Sequence, residues 1–160
     1  MKTLAHRPPT SERRLRGVAA VELGFLVIPL ALLTFGIAEY GRAMVQYNTL
    51  AKAVRDATRH LSQHAAGDSD EIAAATCLAV HGNPSCTGPA LVPGLTPAMV
   101  QVCDAVSCAD THQNQATGLG VINLVTVSIE GAPFQTVVPF VVPDSFQSFG
   151  TIRVTMRQVL

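Results

Sequence analysis

The cysteines and histidines are the residues of this chain with the most evident capacity for chemistry. Thiolates and imidazoles are the ligands that zinc prefers in proteins. The donors do not show the paired C-x-x-C spacing that makes a zinc site specific, so we predict no metal and no other cofactor. The donors considered are Cys77, His81, Cys86, Cys103, Cys108 and His112.

Disulfides explain the four cysteines better than a metal does. An even number of cysteines in a domain outside the cytoplasm is typical of disulfide bonding. We favour Cys77–Cys86 and Cys103–Cys108, because each pair would close a short local loop. Four cysteines allow three connectivities, and the sequence leaves the other two open. A bridge of this kind typically stabilises a small domain by about 2–4 kcal/mol.

The sequence motifs give little support for a catalytic site. His60 and His64 lie four residues apart, as ligands on one helix face would, but no H-E-x-x-H motif accompanies them. We interpret both as surface residues. No serine lies in a G-x-S-x-G motif, and no P-loop glycine pattern occurs. We therefore predict that the protein is not an enzyme.

Glu22 is the one acidic residue within a long apolar run, GVAAVELGFLVIPLALLTFGIA. Val18–Ala38 is long enough to cross a hydrocarbon core of roughly 30 Å as a helix. A charge deep in such a helix costs about 2.5–3.5 kcal/mol, and charges there usually serve a function. If the chain is cut after Gly17, Val18 becomes a free ammonium one helical turn from Glu22. The Glu22 carboxylate of one helix could then pair with the ammonium of a neighbouring helix, which lowers the cost of burying both charges.

Three interpretations of this N-terminal region compete. A cleaved secretory signal peptide requires a shorter apolar core and a small-residue cleavage site after it, and neither is evident. An uncleaved anchor, with Glu22 reaching the cytoplasmic interface, is the plain alternative. We favour the third, pilin-type processing between Gly17 and Val18.

The charges are distributed unevenly along a chain of zero formal net charge. Since basic residues beside a membrane span remain in the cytoplasm, we place the leader inside and the C-terminal domain outside. No lysine or arginine occurs between His60 and Ile152, and an acidic surface argues against nucleic-acid binding. The leader's basic residues, opposed by Glu12 alone, are Lys2, Arg7, Arg13, Arg14 and Arg16.

Periodicity predicts an α+β architecture in which the apolar helix continues into a folded domain. Apolar residues recur at helical spacing after the span, so one helix is expected from Val18 to about Gln63. A second helix is expected at Asp70–His81, with Asp68 or Ser69 as its N-cap. The predicted strands of a small antiparallel sheet are Ala98–Cys103, Val121–Glu130 and Thr151–Val159. The domain boundaries are 1–17 leader, 18–40 transmembrane helix, 41–66 amphipathic continuation and 67–160 exported α+β domain.

Several local features have narrower predictions. Residues 110–120 are expected to be turn-rich, and residues 134–142 are ambiguous because Pro139 interrupts a β-branched run. Weak surface ion pairs are expected for Lys52 with Asp56 and for Asp56 with Arg59. We take Glu39, Tyr40 and Arg42 as markers of the outer membrane interface. The phenylalanines expected in the domain core are Phe134, Phe140, Phe146 and Phe149.

The segment RGVAAVELGFLVIPLALLTFGIAEYGR resembles the N-terminal signature of TadE/TadG-like pilus-assembly proteins. That signature combines a short basic leader, G-x-A-A-V-E, an apolar run with proline, and F-G-I-x-E-[FY]-G-R. The following QYNTLAKAVRDATRHL is similar to the family's helix continuation, and Met156-Arg157 matches the end of its last strand. The resemblance covers Gly17–Leu61 best, Val121–Leu160 less well, and the middle of the chain not at all.

The resemblance implies a role in the Tad/Flp tight-adherence pilus, a type IV pilus system of bacteria. Such proteins are regarded as minor pilins or pseudopilins in the inner membrane, cut by a prepilin peptidase and assembled with other pilins and pilus-assembly membrane proteins. A separate ATPase would power the assembly. In the major pilins of this system a tyrosine follows the glutamate, whereas Leu23 follows Glu22 here, and those pilins are much shorter. Both differences favour an accessory pseudopilin. The alternative is an uncleaved single-span protein whose disulfide-bonded domain binds another component of the machinery.

Overall fold

The longest element is a continuous helix, α1, which runs from Glu12 to Ser62. The computed structural model describes residues 12–118, 120–138 and 147–159, with side chains from residue 17 onward. At 1.5 Å per residue, the 51 residues of α1 are roughly 77 Å long. Pro29 lies inside α1 without ending it. The single helix predicted from Val18 to about Gln63 is therefore confirmed, whereas most of the predicted leader lies outside the described residues.

The two halves of α1 have different surroundings. The apolar side chains of the first half are exposed, and the second half presents a buried stripe to the rest of the domain. This stripe follows the spacing of three and four residues that the sequence shows. Tyr47 lies at the same helical spacing but remains 46% exposed. The completely or nearly completely buried members are Leu50, Val54, Ala57, Thr58 and Leu61.

Helix α2 covers Ser69–His81, as predicted, and both of its ends are capped. The Asp68 side chain accepts hydrogen bonds from the backbone N–H groups of Asp70 and Glu71, which satisfies free donors of the first turn. Gly82 ends the helix in the left-handed region with φ of 75°, and its N–H donates to the carbonyl of Leu78.

Four antiparallel strands form the sheet, and β3 is at its centre. Strands β1 (Val100–Cys103), β2 (Gln115–Thr117) and β4 (Ile152–Gln158) each pair with β3 (Gly120–Ile129). Strand β4 pairs with residues 123–129 of β3, β1 with 126–129, and β2 with 120–122. The α+β class and the three predicted strands are thus confirmed, with bounds that differ by one or two residues.

The core lies between the two helices and one face of the sheet. Val125, Val127 and Ile129 alternate along β3 and are fully buried, as a strand with one face toward helices requires. Ile152 of β4 joins them, and residues of the loop after α2 close one side. The remaining core members on α2 and this loop are Ala75, Ala79, Val80, Val92 and Leu95.

Some local predictions were wrong. Residues 110–120 contain β2 and part of a one-turn helix, α3 (Ala109–His112), because pairing with β3 gives the short segment 115–117 partners that its composition does not indicate. Strand β1 begins two residues late, since Pro97–Met99 forms a 3₁₀ turn. The described residues include neither of the ion pairs expected for Asp56, with Lys52 and with Arg59. In the ambiguous segment 134–142, the described part is irregular, and residues 139–142 lie outside the description.

Candidate functional site

The first half of α1 is an apolar surface that the described domain does not cover. From Gly17 onward, α1 is long and apolar enough to be a candidate membrane span. The most apolar part of this segment is not buried by any described residue. Phe25 is 75% exposed and Leu26 68% exposed. Length and composition therefore suit either lipid or the helices of other subunits as the surroundings of this half.

The predicted processing site lies at the start of this surface. Gly17, Val18 and Glu22 are all exposed within α1. A Cβ added to Gly17 would have no neighbouring atom within 4 Å, so the described domain does not cover the backbone at this position. Val18 and Glu22 are four residues apart and share a helix face. Within the described part of the chain, Glu22 has no hydrogen-bond or ion-pair partner.

Glu39 has a different role from the one expected. We took it as an interfacial marker, but its side chain is buried, with a residue exposure of only 4%. Its Oε1 accepts hydrogen bonds from the N–H groups of Val137 at 2.7 Å and Val138 at 3.1 Å. Arg42 donates to both carboxylate oxygens at 3.2 Å and to the carbonyl of Gln135 at 3.3 Å. The Glu39 carboxylate therefore holds segment 135–138 against α1, at the point where the apolar half of the helix ends. The composition of the segment gave no signal for this contact.

Two phenylalanines support the same junction. Phe134 is buried and meets Phe149 edge to face with ring centroids 5.7 Å apart. Phe149 packs against the core and also approaches Tyr47 of α1, at 6.3 Å between centroids. The core position expected for Phe134 and Phe149 is thus confirmed. Phe140 and Phe146 lie outside the described residues.

The structure pairs the cysteines locally. Cys77–Cys86 joins α2 to the loop after it, with Cα atoms 4.8 Å apart. Cys103–Cys108 joins the end of β1 to the start of α3, with Cα atoms 5.4 Å apart. Although Cys103, Cys108 and His112 lie close together, the disulfide occupies both sulfur atoms, which are then not available as thiolate ligands.

Asp104 organises the loop that the second disulfide closes. It is only 3% exposed, and burial alone would raise the pKa of its carboxyl. Hydrogen bonds from the N–H groups of Ser107, Gly67 and Val106 and from the Ser107 hydroxyl outweigh burial, so the pKa of Asp104 is lowered. The bond from Gly67 at 2.7 Å ties this loop to the connection between α1 and α2.

The end of α1 and the start of α2 bring together a cluster that the sequence did not predict. His60 Nε2 lies 2.7 Å from Glu71 Oε2, and His64 Nε2 lies 3.5 Å from the same oxygen. His64 Nδ1 lies 2.8 Å from the carbonyl oxygen of His60. The helical spacing of the two histidines was visible in the sequence, but no pattern there linked either of them to Glu71.

The comparisons with known proteins bear on the N-terminal segment. A family model described as TadE-like protein matches residues 17–59. Searches of curated proteins and of solved structures give no match. The matched residues begin at the predicted processing glycine and include the apolar half of α1, Glu39 and most of the buried stripe. Residues 17–59 of this chain are therefore similar to the TadE-like family.

Proposed function

We propose that this protein is a minor pilin or pseudopilin that supports assembly of a Tad/Flp-type pilus. The TadE-like family suggests a role in Tad pilus assembly. The observation that carries the narrower proposal is that the matched segment includes an apolar helix surface left uncovered by the described domain. A helix of this kind suits a subunit that is held in the inner membrane and then packs against other subunits.

A mature N-terminus at Val18 would give Glu22 a partner. A prepilin peptidase cutting between Gly17 and Val18 removes the basic leader and creates an ammonium one turn from the carboxylate. In a bundle, the Glu22 of one chain pairs with the Val18 ammonium of a neighbour, because an unpaired buried charge is strongly unfavourable. The exposure of both residues in the single chain is compatible with this intermolecular pairing.

The proposal also includes an orientation of the protein in the membrane and a set of partners. The basic leader is on the cytoplasmic side, and the disulfide-bonded domain is in the periplasm or outside the cell. The partners are the inner membrane, other pilins or pseudopilins, pilus-assembly membrane proteins and the prepilin peptidase. The protein acts as a structural subunit without catalysis and without nucleic acid, and a separate ATPase powers the assembly.

The intact mass of the protein tests the maturation step. The protein is isolated from membranes of a host with its prepilin peptidase and from the same host without it. We expect a peptidase-dependent loss of residues 1–17, with Val18 as the new first residue, because the cleavage site is exposed. A Gly17→Ala variant provides a control for the position of the cut, since peptidases of this type act after glycine in the family that the sequence resembles.

A full-length mass in both hosts would contradict pilin-type maturation. The protein would then be an uncleaved single-span anchor, and its domain would bind another component of the pilus machinery. A shortened mass in both hosts, with a start other than Val18, would instead indicate signal-peptide cleavage and remove the membrane helix from the mature protein.

A further inference from the structure

The His60, His64 and Glu71 cluster joins two elements at a point where the chain turns. His60 lies in the last turn of α1, His64 follows two residues after the helix ends, and Glu71 lies in the first turn of α2. Their three candidate ligand atoms all lie within 4.8 Å of one another. The side chains are between 25% and 36% exposed, so an ion from solvent can reach them.

The hydrogen bond of His64 determines which of its nitrogens is free. A carbonyl oxygen only accepts, so the contact with His60 O at 2.8 Å places the proton on His64 Nδ1. In the neutral ring, Nε2 then carries a lone pair. In that neutral state, this lone pair and the Glu71 carboxylate face each other at 3.5 Å and could ligate one cation together. Histidines that ligate metals commonly donate their other N–H to a backbone carbonyl in this way.

The spacing of the cluster suits a small cation. With bonds of 2.0–2.2 Å to nitrogen and oxygen, two ligands of a tetrahedral zinc ion lie about 3.4 Å apart. His64 Nε2 and Glu71 Oε2 already have this separation. His60 Nε2 is closer to Glu71 because the two form a hydrogen bond, and ligation requires the His60 proton to move to Nδ1.

We propose that His60, His64 and Glu71 bind a zinc-class divalent transition metal ion that links α1 to α2. Two imidazoles and a carboxylate favour such an ion over calcium or magnesium, which prefer oxygen ligands. Three protein ligands leave one position of a tetrahedral ion for water or another group. The ion fixes the angle between the helices across residues 63–68, and its binding is independent of pilin-type maturation.

Zinc titration of the full-length protein tests this site. The protein, in detergent micelles and without a histidine tag, is treated with a chelator, dialysed and titrated with zinc chloride by calorimetry. We expect one zinc ion per chain and a higher thermal midpoint after binding, because the ion binds the folded state. Cobalt(II) in place of zinc should give the visible absorption of a four-coordinate ion with nitrogen and oxygen ligands.

Variants distinguish a three-ligand site from a site formed by the two histidines alone. His64→Gln and Glu71→Gln should each weaken zinc binding by at least about 100-fold, since losing even an outer partner of a metal site costs 10–100-fold. His81→Ala, on the same α2 but outside the cluster, should bind zinc as the wild type does. Circular dichroism without metal verifies that each variant folds.

Two results would overturn the proposal. If Glu71→Gln binds zinc as tightly as the wild type, the carboxylate is not a ligand and the site is only a histidine pair. If the wild type binds no more zinc than the double variant His60→Gln, His64→Gln, the cluster is a hydrogen-bonded contact between the helices without a metal function.

Discussion

Asp104 shows at the scale of one residue how a buried carboxylate can stabilise a loop. Both of its oxygens accept hydrogen bonds, Oδ1 from Ser107 and Val106 and Oδ2 from Gly67. A carboxylate that accepts several N–H bonds is stabilised in its charged form. The loop closed by Cys103–Cys108 is thus held by a covalent bond and by an acceptor that must remain ionised.

We expect Asp104→Asn to lower the free energy of unfolding by about 1–3 kcal/mol at neutral pH, because an amide cannot satisfy all of these donors. Since the folded-state pKa of Asp104 lies below its ordinary value of 3.8, its contribution is present above that pH and is lost as the pH falls through the folded-state pKa. Chemical denaturation of the full chain in detergent, at neutral and at acidic pH, measures the free energy of unfolding of the wild type and of the variant. The difference between wild type and variant should shrink below about pH 4.

The exposed Asp110, on the neighbouring helix α3, offers a matched control. Asp110→Asn should leave stability within about 0.5 kcal/mol of the wild type, as is usual for surface substitutions. An Asp104→Asn variant as stable as the control at neutral pH would contradict the role assigned to the carboxylate.

Glu22 is the residue on which the proposed assembly mechanism depends. Glu22→Ala should leave membrane insertion intact, because it removes the only acidic group of the inserted segment. It should lower recovery of the protein in pili or assembly complexes by more than about tenfold, since breaking a buried charge pair costs 3–5 kcal/mol. Membrane fractionation and quantitative blotting of sheared pili measure the two effects.

The neighbouring Leu23→Ala variant controls for altered helix packing, because Leu23 is similarly exposed but uncharged. Recovery of Glu22→Ala in pili at the wild-type level would count against charge pairing, whatever the result for maturation.

At the scale of the elements, hydrogen bonds of the Glu39 carboxylate and of Arg42 join α1 to segment 135–138. Glu39 lies 98 and 99 residues away in sequence from the amides that it binds. We expect Glu39→Gln to accelerate hydrogen exchange of the Val137 and Val138 amides by at least about tenfold, because bonds to a charged acceptor contribute about 1.5–3 kcal/mol. Exchange measured by mass spectrometry on the full chain in detergent reports this opening.

Glu130→Gln is a suitable control for the Glu39 variant, since Glu130 is exposed at the end of β3. Exchange in β3 and α2 should be the same in both variants. If segment 135–138 exchanges equally fast in the wild type and in Glu39→Gln, the carboxylate does not hold the segment.

At the scale of the whole molecule, α1 forms part of both the uncovered apolar surface and the folded domain. Its first half is the uncovered apolar surface, and its second half contributes Leu50, Val54, Ala57 and Leu61 to the domain core. The domain therefore cannot separate from α1 without losing part of its core. A subunit extracted from a membrane by its helix would move together with its domain.

The long helix, the class of the fold and the similarity of the N-terminal segment to the TadE-like family could all be predicted from the sequence. These depend on local properties: a run of apolar residues, a repeat of three and four, alternation along β3 and β4, and the cap and stop signals of α2. Such signals are read from neighbouring residues, because helical and strand periodicities have short repeats. Segment 115–117 escaped prediction because its strand conformation depends on pairing with β3.

Which polar residues contact one another became evident from the folded arrangement of the elements. The chain gave no indication that Glu39 binds the amides of Val137 and Val138, or that Glu71 reaches His60. These contacts depend on where separate elements lie in the folded domain, and packing of the core fixes those positions. The sequence thus identified the helix on which the proposed assembly function depends, and the fold alone revealed the junction at Glu39 and the proposed metal site.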